Sequence, residues 1–176
     1  MLKSVVRKKY HTDGGRFAIV ASKYNARYVD SMVRAAQAEL KRAGADEVRV
    51  VRVPGAYEVP LAAAQLARHA SAWDGTCSET EDLPFPETVL AAVICLGVIL
   101  RGETVHAAHI GEAVSRALME IQLRYGVPVI HEVLLLESHE QARARCLDRR
   151  HNRGTEAAQT ALAMAQLMSE LRGWQR

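Results

Sequence analysis

Short apolar runs alternate along the chain with segments in which apolar residues recur every three or four positions. The runs RFAIVAS, VRVVRV, TVLAAVICLGVIL and VPVIHEVLLL are rich in β-branched residues and predict four buried strands. The periodic segments predict helices that each carry one apolar stripe. These helices are expected at about residues 28–43, 57–68, 109–125 and 155–171, with a further helical segment, SHEQARARCL, before the last.

Strands that alternate with helices of about ten or more residues are typical of βαβ crossovers and a mainly parallel sheet covered on both faces. The sequence therefore predicts an α/β fold, a three-layer α/β/α sandwich around a mainly parallel four-stranded sheet. Residues 1–15 are expected to form a flexible segment before a single domain at residues 16–176. The stretch HASAWDGTCSETEDLPFPE has no sustained period and is expected to be a surface loop.

The composition is that of an ordinary globular domain, with 176 residues, 49% hydrophobic and 24% charged. A net charge of +3, with arginines spread over several segments, argues against nucleic acid and leaves small anions as partners. The three cysteines, Cys77, Cys95 and Cys146, lack C-x-x-C spacing, so neither disulfides nor zinc are expected, and a reducing cytoplasm fits best. Because no stretch has the roughly 20 apolar residues of a membrane span and the first residues lack an apolar signal core, no membrane partner is expected.

Polar residues stand where the predicted strands end. SKYN follows the first strand, VPGAYE the second and LRGETVH the third, and VIHEV lies in the fourth. Because ligands of open parallel sheets bind beyond the carboxyl ends of the strands, we expect these segments to converge on one crevice.

The segment RGETVH has groups suited to an anion. Gly102 allows backbone N–H groups to turn toward it, Thr104 adds a hydroxyl, and the N-terminus of the next helix attracts negative charge. A phosphate fits there without a Walker-type lysine; the plainer alternative is a strand-to-helix turn capped by Thr104. His106 follows, and histidine is the residue type that most often transfers protons near neutral pH.

Other strand-end residues suit a flat, polar ligand. Tyr24 offers a ring face and Asn25 an amide, although ordinary packing explains a tyrosine equally well. Glu58, near a helix start, accepts hydrogen bonds from hydroxyl groups or is simply N-terminal charge. Arginines suited to phosphate oxygens stand at positions 143, 145, 149, 150 and 153. The histidines form no H-E-x-x-H or Cys/His pattern, so no metal is expected.

Taken in order, SKYN, VPGAYEVP, LGVILRGETVH, GVPVI and RARCLDRRHNRG followed by an alanine-rich helix resemble the lumazine synthase family over residues 17–167. VPGAYEVP and RGETVH are the most specific pieces. The resemblance implies a flavodoxin-like fold and a homo-oligomer, either a pentamer or an icosahedral 60-mer, with active sites between subunits. It implies condensation of 5-amino-6-(D-ribitylamino)uracil with L-3,4-dihydroxy-2-butanone 4-phosphate. The products would be 6,7-dimethyl-8-ribityllumazine, phosphate and water, in the penultimate step of riboflavin biosynthesis, with no cofactor.

The resemblance also implies residue roles. Those it assigns to the uracil substrate are Tyr24, Asn25, Ala56, Tyr57, Glu58, Val98, Ile99, Leu100 and His131. Those it assigns to the phosphate are Gly102, Glu103, Thr104 and Arg145. Among them Tyr24 would stack on the pyrimidine, Glu58 would face the ribityl hydroxyls, and Arg145 would reach in from a neighbouring subunit. His106 would transfer protons.

Some positions depart from the family pattern. Ala107 and Ala108 stand where an aromatic residue and an acid are frequent, so a carboxylate that orients His106 must come from elsewhere. His131 replaces the usual phenylalanine, and Arg153 replaces a common lysine. The acidic loop before residue 88 is longer than usual.

Three alternatives stay open. A non-catalytic flavin or lumazine carrier would use Tyr24 and the glycine turn equally well, and Ala108 and His131 leave room for a shell-forming paralogue. A generic phosphosugar enzyme on the same fold explains the phosphate turn but not VPGAYE. The segment DRRHNRG is no longer than in shell-forming members, which favours the 60-mer over the pentamer.

Overall fold

The computed structural model describes Tyr10, Thr12 and residues 14–71 and 90–174. The strands are β1 (Arg16–Ser22), β2 (Glu47–Val53), β3 (Leu90–Leu100) and β4 (Val129–Leu136). The helices are α1 (Ala26–Arg42), α2 (Val59–Ser71), α3 (His106–Tyr125), α4 (His139–Ala142) and α5 (Arg153–Gly173). Most of the predicted flexible N-terminal segment and nearly all of the predicted acidic loop lie outside the described residues.

The four strands form one parallel sheet in the order β2-β1-β3-β4. Residues 92–99 of the central strand β3 are buried, which explains why its sequence is an unbroken apolar run. The strand order reverses between β1 and β3, and ligands of open α/β sheets bind at such a reversal. The predicted α/β/α sandwich with a four-stranded parallel sheet is confirmed.

Two apolar layers enclose this sheet. Helices α1 and α5 cover one face, where Phe17, Ile19 and Ile94 are fully buried. Helices α2 and α3 cover the other face, over Val20 and Cys95. Because successive strand residues point to opposite faces, β1 and β3 supply apolar side chains to both layers.

The ends of the helices follow local chemistry. Helix α3 ends where Gly126 takes φ 64, a left-handed conformation that glycine adopts readily, as the sequence predicts. The segment SHEQARARCL is not one helix, because α4 spans four residues and Arg143–Leu147 form a π-helical turn, called the Arg145 turn below. Helix α5 begins at Arg153, earlier than the predicted residue 155, because the side chain of Asn152 accepts the N–H of Gly154 and caps it.

Candidate active site

The carboxyl ends of β1 and β2 lie side by side. The backbone N–H of Lys23 donates to the carbonyl of Val53 at 2.8 Å, and that of Tyr24 donates to the carbonyl of Pro54 at 3.1 Å. The backbone of Tyr24 is therefore fixed, while its side chain is 72% exposed. An exposed ring on a fixed backbone at the sheet edge can stack on a planar ligand.

Asn25 joins β1 to β3. Its φ of 55 is a left-handed value, which asparagine tolerates better than most residues. In this conformation its side-chain Nδ2 donates to the carbonyl oxygen of Val98 at 2.8 Å. Asn25 thus closes the gap between the two strands at which the strand order reverses, and its amide nitrogen already has a partner.

The end of β3 has an open backbone edge. Its last ladder pair with β1 joins Leu96 to Ala21, although β3 itself continues to Leu100. Backbone polar groups of alternate residues point to the same edge of a strand. The hydrogen bond from Asn25 shows that the carbonyl of Val98 points toward β1. Leu100 points to the same edge as Val98, and because Val98 is 1% exposed whereas Leu100 is half-buried, the backbone groups that a ligand can reach there are those of Leu100.

The segment after β2 packs against β3 and prepares the start of α2. Glu58 accepts the backbone N–H of Gly55 through Oε2 at 2.8 Å and directly precedes α2, as predicted. Ala56 lies over Gly97, where an added Cβ would meet the Ala56 Cβ at 3.6 Å. Tyr57 is exposed. Among the residues that the structure describes, no side-chain bond engages the second carboxylate oxygen of Glu58, which can accept a ligand hydroxyl.

The turn after β3 is exposed throughout residues 101–106. Helix α3 has Val105 as its N-cap residue and no side-chain cap bond, so the alternative of a turn capped by Thr104 is wrong. The first N–H groups of this 20-residue helix consequently lack side-chain partners and attract an anion. A Cβ added at Gly102 would meet no other atom, and Gly102 does not have a left-handed φ. The turn therefore does not require a glycine at this position.

His106 is the first residue of α3 and is exposed. Within the described part of the chain, no hydrogen bond or ion pair engages its ring. The expectation that an orienting carboxylate must come from elsewhere therefore stays open, and it stays a prediction that His106 transfers protons.

His131 does not lie at the strand end that the sequence analysis expected. It is five residues before the end of β4 at Leu136, and its ring faces α3. Because Ser115 Oγ donates to the carbonyl of Gly111 at 2.7 Å, it accepts Nε2–H of His131 at 2.8 Å, and Nδ1 accepts the N–H of Val133. Burial lowers the pKa of His131, which fits this neutral ring. His131 is exposed in the middle of β4 and contacts α3 through Ser115, and its place in a pocket between subunits stays a prediction.

Arg145 is half-buried in the Arg145 turn, which packs on α1. No hydrogen bond or ion pair holds its guanidinium among the residues that the structure describes. The turn lies on the α1 and α5 side of the sheet, whereas the helix after the Gly102–Thr104 turn lies on the α2 and α3 side. The structure does not bring the two predicted phosphate elements into contact within one chain.

Sequence reasoning missed a half-buried ionic cluster behind the Arg145 turn. Glu132 faces Arg153 at 3.3 Å between Oε2 and Nε, and Arg153 also pairs with Glu156. Neither Glu132 Oε2 nor Arg153 Nε makes a hydrogen bond. Burial raises the pKa of Glu132 to about 7, although Arg153 opposes the rise. Because successive strand residues point to opposite faces, the sequence could have placed Glu132 on the face of the sheet away from His131. The burial of Glu132 could not be predicted in this way, because it depends on α5, which covers it.

The described residues contain no group of three or more histidine, cysteine or carboxylate side chains placed to hold a metal ion. None of their helices is long and apolar enough to cross a membrane.

A family model described as 6,7-dimethyl-8-ribityllumazine synthase matches residues 14–169. The chain belongs to the lumazine synthase family. A protein named 6,7-dimethyl-8-ribityllumazine synthase from Stenotrophomonas maltophilia (strain R551-3) is 38% identical over 161 residues, which cover 90% of this chain and 92% of that protein. One of the same name from Xanthomonas campestris pv. campestris (strain B100) is 38% identical over 158 residues, covering 89% and 91%.

Membership in this family confirms the resemblance that the motif order indicated, and it makes the chain a transferase. It does not favour the carrier or the shell-forming paralogue. The assignment of individual residues to substrate, phosphate or proton transfer remains a prediction.

Proposed function

We propose that the chain condenses 5-amino-6-(D-ribitylamino)uracil with L-3,4-dihydroxy-2-butanone 4-phosphate, the reaction of its family in riboflavin biosynthesis. The observation that carries the residue assignment is the edge between β1 and β3. There a fixed and exposed tyrosine, an open backbone edge and an uncapped helix N-terminus with a free histidine all follow neighbouring strand ends.

The pyrimidine has a complementary surface at this edge. Tyr24 stacks on its ring, and the backbone groups of Leu100, beyond the buried Val98, pair with its imide N–H and carbonyl groups. Ile99, between them, points its side chain away from that edge and into the α2 and α3 layer. Glu58 accepts a ribityl hydroxyl on the carboxylate oxygen that Gly55 leaves free.

The phosphate of the second substrate binds at residues 102–104, against the N-terminus of α3. Glu103 contributes its backbone there, since its carboxylate would repel a phosphate. Arg145 completes the pocket from a neighbouring copy, which is why the two elements can lie on opposite faces of one chain. The active form is therefore a homo-oligomer, either a pentamer or a 60-mer built from pentamers.

The chemistry needs orientation and one proton carrier rather than a metal. The primary amine of the uracil attacks the ketone, and water leaves to form an imine. Proton loss next to the imine expels phosphate, and the ribitylamino nitrogen closes the ring with loss of a second water. His106, beside the phosphate turn, takes and returns these protons, and the helix N-terminus stabilises the leaving phosphate.

We propose that this work takes place in the cytoplasm. The described cysteines, Cys95 and Cys146, are both free and buried, and free thiols are usual in a reducing compartment.

The test is the condensation assay with both substrates on the purified protein, followed by the absorbance of the lumazine product. His106→Ala is expected to lower kcat by 10²–10⁴-fold, roughly what general acid–base catalysis contributes. A carrier would bind the product without forming it. Unchanged kcat in His106→Ala would remove this residue from the mechanism.

The shared site has its own test, which is co-expression of His106→Ala with Arg145→Ala. If each site combines His106 of one copy with Arg145 of another, random mixing restores about a quarter of the native sites. Each variant alone, assayed at the same concentration, is the control. No recovery above the single variants would place Arg145 outside a shared site.

A further inference from the structure

The Arg145 turn has an unusual backbone. Residues Arg143–Leu147 form a single π-helical turn, in which the N–H of Asp148 bonds the carbonyl of Arg143 at 3.3 Å. Such turns are rare and leave carbonyl groups without the regular helical partners. The carbonyl of Cys146, directly after Arg145, accepts a hydrogen bond from the Nδ2 of Asn152 at 2.6 Å instead.

Asn152 uses both ends of its side-chain amide. Its Oδ1 accepts the N–H of Gly154 at 2.9 Å, so the other end is the NH₂ group, which donates to Cys146. The same NH₂ group lies 3.3 Å from Ser31 Oγ on α1. The residue is 5% exposed, so rotating the side chain would leave buried groups without partners.

The support beneath Asn152 is rigid. A Cβ built on Gly154 would overlap the backbone of Met32, so α5 starts in direct contact with α1. Helices α1 and α5 pack against each other and on the sheet as part of the same apolar core. The amide of Asn152 therefore connects the Arg145 turn to a platform that cannot shift easily.

Arg145 itself lacks a side-chain partner among the described residues, so the position of its guanidinium depends on the backbone of the turn. We infer that Asn152 is a positioning residue for Arg145, because it holds the adjacent Cys146 carbonyl and so presets the guanidinium for the phosphate-bearing substrate. This inference rests on the proposed function, in which Arg145 binds that phosphate.

Two substitutions separate positioning from folding. Asn152→Asp keeps the acceptor for Gly154 and remains a good N-cap, but it places a carboxylate oxygen against the Cys146 carbonyl. Asn152→Ser also keeps a cap and cannot span the distance to Cys146. Both are expected to raise the KM for the butanone phosphate about tenfold. The KM for the pyrimidine should stay within about twofold, since the pyrimidine does not depend on the phosphate contact.

The matched control is Ser31→Ala, which removes the contact of Asn152 with α1 and keeps its bond to Cys146. It is expected to leave both KM values unchanged. An equal rise of the phosphate-substrate KM in Ser31→Ala would mean that general packing around Asn152 is responsible, and it would overturn the inference.

A double-mutant cycle with Arg145→Ala gives the decisive result. If Asn152 acts through Arg145, Asn152→Asp adds less than about twofold to the KM of the Arg145→Ala variant. The same tenfold factor in both backgrounds, or an unchanged KM in Asn152→Asp and Asn152→Ser, overturns the inference while leaving the proposed function intact. A native protein that forms no product overturns both.

Discussion

Replacing Glu132 by glutamine is expected to remove a pH dependence from the stability of the folded chain. The Glu132 side chain is 12% exposed in β4, and its carboxylate faces an arginine that Glu156 already pairs. Burial is the largest cause that raises its pKa, Arg153 opposes it, and Glu156 adds to it. The folded chain therefore favours the protonated acid.

The size of the effect follows from the pKa. A carboxyl that titrates near 4.5 in the unfolded chain and at about 7 when folded changes the free energy of unfolding by on the order of 3 kcal/mol, at about 1.4 kcal/mol for each pH unit. Between these values the folded state binds more protons than the unfolded state. Stability is thus fully present below pH 4.5 and is lost as the pH rises to about 7. Glutamine cannot ionise, so Glu132→Gln should match the native chain at pH 4.5 and exceed its stability at pH 8.

Urea unfolding of both proteins at pH 4.5, 6 and 8, at one protein concentration, measures this difference, and other titrating groups cancel in it. The control is Glu137→Gln, just after β4, whose carboxylate is 55% exposed in its pair with Arg101. Its effect should stay below about 1 kcal/mol at every pH. If Glu132→Gln is instead less stable at pH 8, or if the difference is the same at every pH, then Arg153 keeps Glu132 ionised and the reasoning is wrong.

Three further substitutions, two of them with a control variant, test the contact between α5 and α1 and the edge between β1 and β3. Gly154→Ala should cost 3 kcal/mol or more, roughly the cost of severe overpacking, since the backbone of Met32 leaves no room for a Cβ. Gly173→Ala, in open space on the same helix, should be neutral in thermal unfolding. Asn25→Ala should lose about 1–2 kcal/mol because it loses a hydrogen bond and keeps a left-handed φ, and Asn25→Gly should lose less. Tyr24→Ala should raise the KM for the pyrimidine about tenfold with no change in melting temperature, because the ring is exposed and base stacking is worth about 1–3 kcal/mol; an unchanged KM would contradict stacking.

The sequence predicts the sheet better than the segment after it. The β3 run is compatible only with burial on both faces, and glycines such as Gly126 mark helix ends through their backbone freedom. The Arg145 turn escaped prediction because its residues continue a helical pattern, while its π-helical backbone depends on a later residue, Asn152, that holds the Cys146 carbonyl. That contact joins residues six positions apart, a spacing that the period of an ordinary helix does not contain.

The sequence likewise predicts part of the candidate site and misses the rest. Motif order indicated that Tyr24 and Glu58 follow neighbouring strands, and the sheet order agrees. It did not indicate that Asn25 bonds the carbonyl of Val98, because that bond depends on the register of β1 against β3 and on a left-handed φ. His131 was grouped with the strand ends from the sequence and assigned to the pocket by resemblance; the register of β4 places it beside Cys95, and its role stays a prediction.

The residues that we propose to bind or react are held in place in a similar way. Tyr24 is fixed through its backbone N–H, His106 through the start of α3, and Arg145 through the carbonyl that Asn152 holds. A hydrogen bond holds the main chain at Tyr24 and next to Arg145, and His106 is held by its place in the first turn of α3; none of the three side chains has an ion pair among the described residues. This arrangement sets the position of a group without neutralising it, which is what catalysis by orientation and electrostatics requires. A change at an anchor such as Asn152 should therefore alter the KM of one substrate, whereas a change at His106 should remove the chemistry itself.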